Sequence, residues 1–386
     1  MTCKSRLAVA ILITTVSLTA GPLARGQAIP HGGQPSPPRP GPAAPADATR
    51  RDISVSQTVE AVVAPWKAKF QAPGVIVVVR HDGLTQFFPF GLADREHRTP
   101  VTADTVFELA SITKVFTTTS LAMEVQAGRM QLDDVVTDYV PLLRDHGGDI
   151  RRVTLLQLAT HTSSLPRTPT VQRPDHDWNK QLLIQWLAGW QSPYPPGTKS
   201  LYSNIGVGLL GFAIADLEKK PMIDIWREQF LTPLGMHRTF FEPRDATPFV
   251  AQGYGPHGQP VSHTPVGGWP AGGRLSSSGR DMGNFLVANM GERTDLPKIM
   301  AAMQFSQRPF FKASANMTQG LAWQRVHIQG ELVIDKNGGL TGTSTYIGML
   351  PERHVGVVVM ANRGKCQATA VGRQLLIALV AKQQTE

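Results

Sequence analysis

The sequence predicts an α+β fold, with an antiparallel sheet flanked by N- and C-terminal helices and an all-helical insertion between the sheet's two halves. Three observations carry that reading. "GVIVVVRHDGLTQFFPFGLAD", from Gly74, reads as two strands around the Asp82-Gly83 turn signal. "STYIGML" (344–350) and "HVGVVVMA" (354–361) read as a second pair near the other end of the chain. Between these pairs the chain is helical and punctuated by proline, and no repeat of about 20–50 residues is visible.

The elements follow in order. Lys4 and Arg6 precede the apolar run "LAVAILITTVSLTA" (7–20), which is too short to span a bilayer and suits a secretory signal. Small residues at Gly26 and Ala28 give a cleavage site, so residues 1–28 are expected to be removed. Residues 29–50, rich in Pro, Gly and Ala, are too poor in apolar side chains to build a core and are expected to be a disordered leader. A first helix is expected near Ile53, through "SVSQTVEAVVAPWKAKF". The first strand pair follows. The middle helices are read from "SITKVFTTTSLAMEVQAG", "TLLQLATH", "KQLLIQWLAGW", "SNIGVGLLGFAIADLEKK" and "DIWREQFLTPLGM". After the last strands comes a closing helix, "ATAVGRQLLIALVAK". Residues 51–386 are therefore expected to form one catalytic domain. Its sheet layer comes from about 51–105 and 250–386, its helical part is about 106–249, and the site lies in the crevice between them.

Composition narrows the function. At 41% hydrophobic, the chain of 386 residues is globular in character. Its formal charge of +9 falls to about +6 when Lys4, Arg6 and Arg25 leave with the signal. No run of five Lys/Arg and no basic stripe interleaved with aromatics occurs, which argues against nucleic-acid binding. No second run of about 18 apolar residues appears, so no integral membrane span is expected. Cys3 precedes the apolar run and leaves with it, so Cys366 remains alone and no intrachain disulfide is expected. A periplasmic monomer is expected.

Three short motifs occur once each: Ser-x-x-Lys at Ser111 and Lys114, Tyr-x-Asn at Tyr202 and Asn204, and Lys-x-Gly at Lys336 and Gly338. Alone, each is as common by chance as by function; together they make chemical sense. A neutral serine is a poor nucleophile and needs an adjacent base. Residues three apart share a helix face, so Lys114 can reach the Ser111 hydroxyl. Lysine is ordinarily protonated, and burial or a second cation such as Lys336 would lower its pKa.

"FELASITK", "LYSNIGVGLLG" and "KNGGLTGTSTYIGMLPERHVGVVVMANR" closely resemble the class C serine β-lactamases, within the wider serine β-lactamase/penicillin-binding-protein superfamily. The resemblance extends from about Gly74 to the closing helix and includes "LLQLATHTSSLP", "YPPGTKSLYSN", "PLGMHRTFF", "SSSGRDMGNFLVANM" and "QGLAWQ". It implies a β-lactamase/DD-peptidase-like domain that opens β-lactam rings through an acyl-serine, without metal or cofactor. By motif, it makes Ser111 the nucleophile, Lys114 its partner, Tyr202 the acid/base and Lys336 the electrostatic anchor. It also makes Asn204 a substrate-amide contact, puts Asn337, Gly338 and Gly339 at the substrate, and assigns the oxyanion hole to the N–H groups of Ser111 and Gly339. The chain departs from the family at Ala110, usually Gly, at Thr113, usually Ser or Ala, and at Asn337, usually Thr. The family's glutamine after "GLP" gives way to "PRTPT", and only eleven residues separate Gln324 from Lys336. "HTSSLPR" and that short segment are more similar to the D-Ala-D-Ala carboxypeptidase/endopeptidase branch. A D,D-peptidase and a serine esterase are thus the alternatives on the same scaffold, and a non-catalytic peptidoglycan-binding module has no use for the intact Ser-Lys-Tyr set.

Other candidates read as structural. His161, His176, His237, His257 and His263 show no metal-ligand spacing. "GGWPAGGRLSSSG" (267–279) lacks the pattern of a phosphate loop and is expected to border the cleft. Trp178, Trp186 and Trp190 are expected in the core. Asp133-Asp134 is expected to cap a helix N-terminus.

Overall fold

The computed structural model describes residues 46–145, 148–171, 177–241, 249–265 and 267–383, with side chains from Ser54 onward. The expected signal peptide, most of the leader and His176 lie outside the described residues. The chain divides into Met1–Ala46 and Asp47–Glu386, and the fold below is that of the second unit.

The helices are α1 (Ala46–Phe70), α2 (Thr113–Gln126), α3 (Pro141–Arg144), α4 (Leu155–Ala159), α5 (Lys180–Ala188), α6 (Asn204–Glu218), α7 (Met222–Trp226), α8 (Gly279–Asn289), α9 (Pro297–Ser306) and α10 (Ala368–Gln383). The strands are β1 (Gly74–His81), β2 (Leu84–Asp94), β3 (Thr99–Pro100), β4 (Val106–Glu108), β5 (Thr239–Phe240), β6 (Gly253–Tyr254), β7 (Pro260–Val261), β8 (Ser276–Ser278), β9 (Phe311–Ser314), β10 (Met317–Gln319), β11 (Gln324–Ile328), β12 (Glu331–Gly339), β13 (Ser344–Leu350) and β14 (Val355–Ala361).

Nine strands form one antiparallel sheet in the order β3-β2-β1-β14-β13-β12-β11-β10-β9. The two ends of the chain meet at its centre, where Val77 pairs with Val359. The β1–β2 hairpin turns at Asp82 and Gly83, both at positive φ (44° and 80°), the backbone that the Asp-Gly signal anticipates. Alternation along the strands explains their continuous apolar runs, because both faces are covered. Val75, Val77, Val79, Val357 and Val359 pack against α1 and α10 through Val59, Val63, Leu375 and Leu379. Ile76, Val78, Val358 and Met360 point the other way and share the larger core with Met282, Phe285 and Leu286 of α8. Each such side chain taken out of water contributes about 1.5–3 kcal/mol.

Several expectations are adjusted. The first helix starts at Ala46, ahead of Ile53. The last strand starts at Val355, because His354 sits at φ 52° in the turn before it. The helical part also contains short strands, β4 and β5, which pair with β8 as a small second sheet. Asp134 caps no helix: its carboxylate accepts the Gln131 N–H (2.6 Å) and the Tyr139 hydroxyl (2.5 Å) and so closes a turn. Trp178 and Trp190 are buried, and Trp186 packs against the same core.

Candidate active site

Ser111 sits in a 3-10 turn, Ala110–Ile112, that joins β4 to α2. Ala110 is in the left-handed region at φ 51°, where a residue with a Cβ pays about 1–2 kcal/mol that glycine avoids. Neighbours hold the turn in place. Thr113 Oγ1 donates to the Ala110 carbonyl (2.6 Å) and accepts the Leu275 N–H (3.0 Å), while Thr345 Oγ1 donates to the Leu109 carbonyl (2.8 Å). The hydroxyl of Thr113 thus stitches the turn to the strand-bearing segment behind it.

Lys114, at the start of α2, is fully buried. Its ammonium donates to Ser111 Oγ (3.3 Å), to Asn204 Oδ1 (2.9 Å) and to the Gly272 carbonyl. None of these partners carries a charge. Burial, reinforced by the positive fields of Arg167 and Arg274, holds Lys114 well below the usual lysine range. The Tyr202 hydroxyl donates to the same Ser111 Oγ at 2.5 Å. Lys114 Nζ lies 4.8 Å from the Tyr202 ring centre on one side of the site, and Lys336 Nζ lies 5.2 Å from it.

The loop after α4 holds the Tyr-x-Asn segment. The His161 carbonyl accepts the Leu201 N–H (2.7 Å), the Arg167 carbonyl accepts the Asn204 N–H (3.0 Å), and the Pro166 carbonyl accepts the Ser203 hydroxyl (2.8 Å). Ser203 Oγ also caps α6 by accepting the Gly206 N–H (2.9 Å). The Asn204 side chain reaches Lys114, so its placement serves the lysine as well as the cleft. Sequence reasoning missed His161. Its buried ring packs on Tyr202 with centroids 4.5 Å apart, and Nδ1 accepts the Ser203 N–H (3.3 Å). Burial, with Lys336 and Lys114 close by, keeps it far below the usual histidine range and therefore neutral. The signal was present in "LATHTSSLP", which looked like family background because no histidine stands in the three motifs.

Lys336 is buried in β12, and burial together with Lys114 lowers its pKa to about 8 although Tyr202 and Asp335 pull it upward. The short segment before it is a tight hairpin: β11 pairs with β12 only from Glu331 to Asp335, leaving Lys336–Gly339 with β13 alone. Gly338 backs directly onto the nucleophile turn. A Cβ there would stand 2.2 Å from the Leu109 carbonyl oxygen and 2.4 Å from Thr345 Oγ1. Gly339 shares a cavity of about 270 Å³ with Ser111 and Asn204. Asn337 is exposed and lines a neighbouring cavity of about 690 Å³ with Lys365 and Gln367. The structure therefore gathers Ser111, Lys114, Tyr202, Asn204, Lys336, Gly338 and Gly339 around one point and sets Asn337 beside it.

The Gly-rich stretch does border the cleft. Residues 270–272 form a 3-10 turn that presents its Gly272 carbonyl to Lys114. It lies on α6 because Gly208 and Gly211 leave room: a Cβ on either would come within 2.2 or 2.3 Å of Trp269 or Ala271. Among the described residues no group of three or more His, Cys, Asp or Glu is placed to hold a metal, and no helix is long and apolar enough to cross a membrane.

A mixed helix-and-sheet fold whose crevice joins a serine, a buried lysine and a tyrosine defines a serine hydrolase. The sequence description of the β-lactamase family matches residues 55–382. A β-lactamase of Yersinia enterocolitica is 32% identical over 351 residues, covering 81% of this chain and 88% of its own. Among solved structures, a class C β-lactamase from Rhodobacter sphaeroides superposes with a TM-score of 0.74 at 29% identity, covering 85% of this chain and 99% of its own. A β-lactamase/D-alanine carboxypeptidase from Pseudomonas syringae gives 0.75 at 26% identity, covering 84% and 99%. The chain belongs to the β-lactamase family, class C.

Proposed function

We propose that this protein hydrolyses β-lactams through an acyl-enzyme on Ser111. The observation that carries the reading is the convergence of Lys114 Nζ and the Tyr202 hydroxyl on one Ser111 oxygen. Lys114, whose ammonium burial makes easier to deprotonate than that of an ordinary lysine, takes the Ser111 proton in its amine form as Oγ bonds to the lactam carbonyl carbon. The N–H groups of Ser111 and Gly339 receive the oxyanion. As the ring C–N bond breaks, the proton passes through Tyr202 to the departing nitrogen. Water then attacks the ester, giving its proton back along Tyr202, and Ser111 recovers its hydroxyl. Lys336 supplies the positive field for a substrate carboxylate. A D-alanyl peptide offers the same carbonyl and carboxylate, and the similarity to the β-lactamase/D-alanine carboxypeptidase of Pseudomonas syringae supports it as the second reading. The N-terminal "LAVAILITTVSLTA" supports export to the periplasm.

The test is intact-mass measurement and peptide mapping after brief exposure to a β-lactam. An acyl adduct on Ser111, lost in Ser111→Ala, is expected. An adduct on another serine sinks the mechanism. Turnover of a D-Ala-D-Ala peptide in preference to a cephalosporin turns the assignment to the second reading.

A further inference from the structure

Helix α2 buries a run of hydroxyl side chains, Thr113, Thr117, Thr118, Thr119 and Ser120. Serine and threonine compete with the backbone ladder and are disfavoured inside a helix, so each calls for a reason. Thr119 bonds back to its own helix at the Val115 carbonyl (2.8 Å). Thr118 reaches out to the Leu321 carbonyl (2.8 Å) and Ser120 to Gln229 Oε1 (2.6 Å). Thr117 Oγ1 lies 2.7 Å from the Ala271 carbonyl and 3.4 Å from the Thr113 carbonyl of its own helix, so its single hydrogen goes across and not back. Thr113 grips the same segment farther along, where its Oγ1 accepts the Leu275 N–H (3.0 Å).

Between those two grips lies Gly272, whose carbonyl accepts Lys114. Lys114 and Thr117 share one face of α2, three residues apart, and they meet successive carbonyls of the 270–272 turn. The chemistry of the base gives that pairing its importance. In its amine form Lys114 has two N–H bonds and one lone pair. The Asn204 amide oxygen and the Gly272 carbonyl take the two hydrogens, and the lone pair then faces Ser111 Oγ, from which it receives the proton. A Gly272 carbonyl turned aside would free one N–H and leave the lone pair without a fixed direction. Packing is tight at Gly272, where a Cβ would stand 2.6 Å from the Asn204 carbonyl oxygen, but that contact comes from α6 and not from the helix that carries the lysine. We propose that Thr117 is a positioning residue for the general base: its hydroxyl holds the 270–272 turn to α2 and so aims the Lys114 lone pair at Ser111. The inference deepens the functional reading and rests on it for Lys114 as the base.

The experiment is single-turnover stopped-flow with enzyme in excess, using a chromogenic cephalosporin and p-nitrophenyl butyrate. It reads the limiting acylation rate constant separately from the half-saturating concentration. Thr117→Val keeps the side chain's shape and deletes its hydroxyl; the limiting rate is expected to fall about tenfold or more, with little change in the half-saturating concentration. Thr117→Ser returns the hydroxyl and is expected to recover most of the rate, whereas Thr117→Ala is not. Thr118→Val deletes the neighbouring hydrogen bond to Leu321, of comparable length, and is expected to lower Tm while the rate stays. A wild-type rate in Thr117→Val, equally slow Ser and Ala variants, or a Thr118→Val variant as slow as Thr117→Val overturns the proposal. Should Thr117→Val fail to fold, the Ser and Ala variants, which both lack the methyl and differ only in the hydroxyl, decide. A wild-type enzyme inert toward the cephalosporin but active on the ester rejects the β-lactam reading, and the ester series then decides Thr117; turnover of neither rejects both.

Discussion

The His161 imidazole lies against the Tyr202 ring, centroids 4.5 Å apart, and its Nδ1 accepts the N–H of Ser203, the next residue in the chain. One neutral side chain thus supports the tyrosine from below and fixes the backbone that carries it. Its Nε2 is buried without a partner among the described residues, a polar group retained at some expense to stability. His161→Leu removes the acceptor and leaves the Ser203 N–H unpaired, which should cost about 1–3 kcal/mol of stability. A loosened Tyr202 should lower kcat by about ten- to hundredfold, with a smaller change in KM. His161→Asn puts an amide oxygen near the Nδ1 position and should recover most of kcat. If His161→Leu shifts Tm while kcat stays, the ring is packing alone.

Lys336 predicts an alkaline limb. Its pKa of about 8 means that its charge is lost as pH rises through 8. For an anionic substrate, kcat/KM should therefore fall above about pH 8, and a neutral p-nitrophenyl ester should be affected less. The stability effect has the opposite sign. The folded pKa lies below the ordinary lysine value, so the folded state gains stability as pH rises from about 8 toward 10.5 and carries the full penalty below 8. Lys336→Met should consequently raise stability at pH 7 by about 1–3 kcal/mol while removing most activity. Thermal denaturation at pH 7 and pH 10 checks this: the gain must shrink at the higher pH.

Gly338 is constrained by the nucleophile turn. An added methyl meets the Leu109 carbonyl oxygen at 2.2 Å and Ala110 Cβ at 3.0 Å, backbone and a short side chain that have no room to swing away. Gly338→Ala should destabilise by about 1–3 kcal/mol and displace Ser111, lowering kcat for β-lactam and ester alike. A variant with normal Tm and a defect confined to one substrate class would assign Gly338 to recognition instead.

Much of this was legible in the residues. The hairpin at Asp82-Gly83, the two valine-rich strands at the centre of the sheet and the closing helix all follow from local signals that tertiary structure did not override. The strands of Phe311–Gly339 were not, apart from their third motif, because β9 to β11 are short, half exposed and mixed in polarity, so alternation is weak. Ser111, Lys114 and Tyr202 were found by chemistry and joint order, and the structure joins them by hydrogen bonds. His161, Arg167 and Arg274 were hidden because each comes from a loop, and only the folded chain brings the first two to Tyr202 and the third to the cavity at Ser111. Asn337 is the reverse case, a motif residue whose position in a strand set it one step along from the pocket its motif suggested.

That placement makes Asn337 the sharpest remaining discriminator among substrates. It is exposed on β12 and shares its cavity with Lys365 and Gln367, and the stretch Gly339–Thr341 walls this cavity from the one holding Ser111. A carboxylate on the departing half of a β-lactam, drawn by Lys336, would lie near this boundary. The family's threonine offers a compact hydroxyl there, whereas the amide of Asn337 is longer and divides its hydrogen bonding between donor and acceptor. Asn337→Thr should therefore raise kcat/KM for carboxylated β-lactams. One hydrogen bond to a charged group is worth about 1.5–3 kcal/mol, or roughly tenfold and upward at 1.4 kcal/mol per decade. A neutral p-nitrophenyl ester has no carboxylate to receive that bond and should respond little. Steady-state kinetics with both substrates gives the answer: a rise for the β-lactam alone places Asn337 at the carboxylate, and equal changes for both make it a structural residue of the strand.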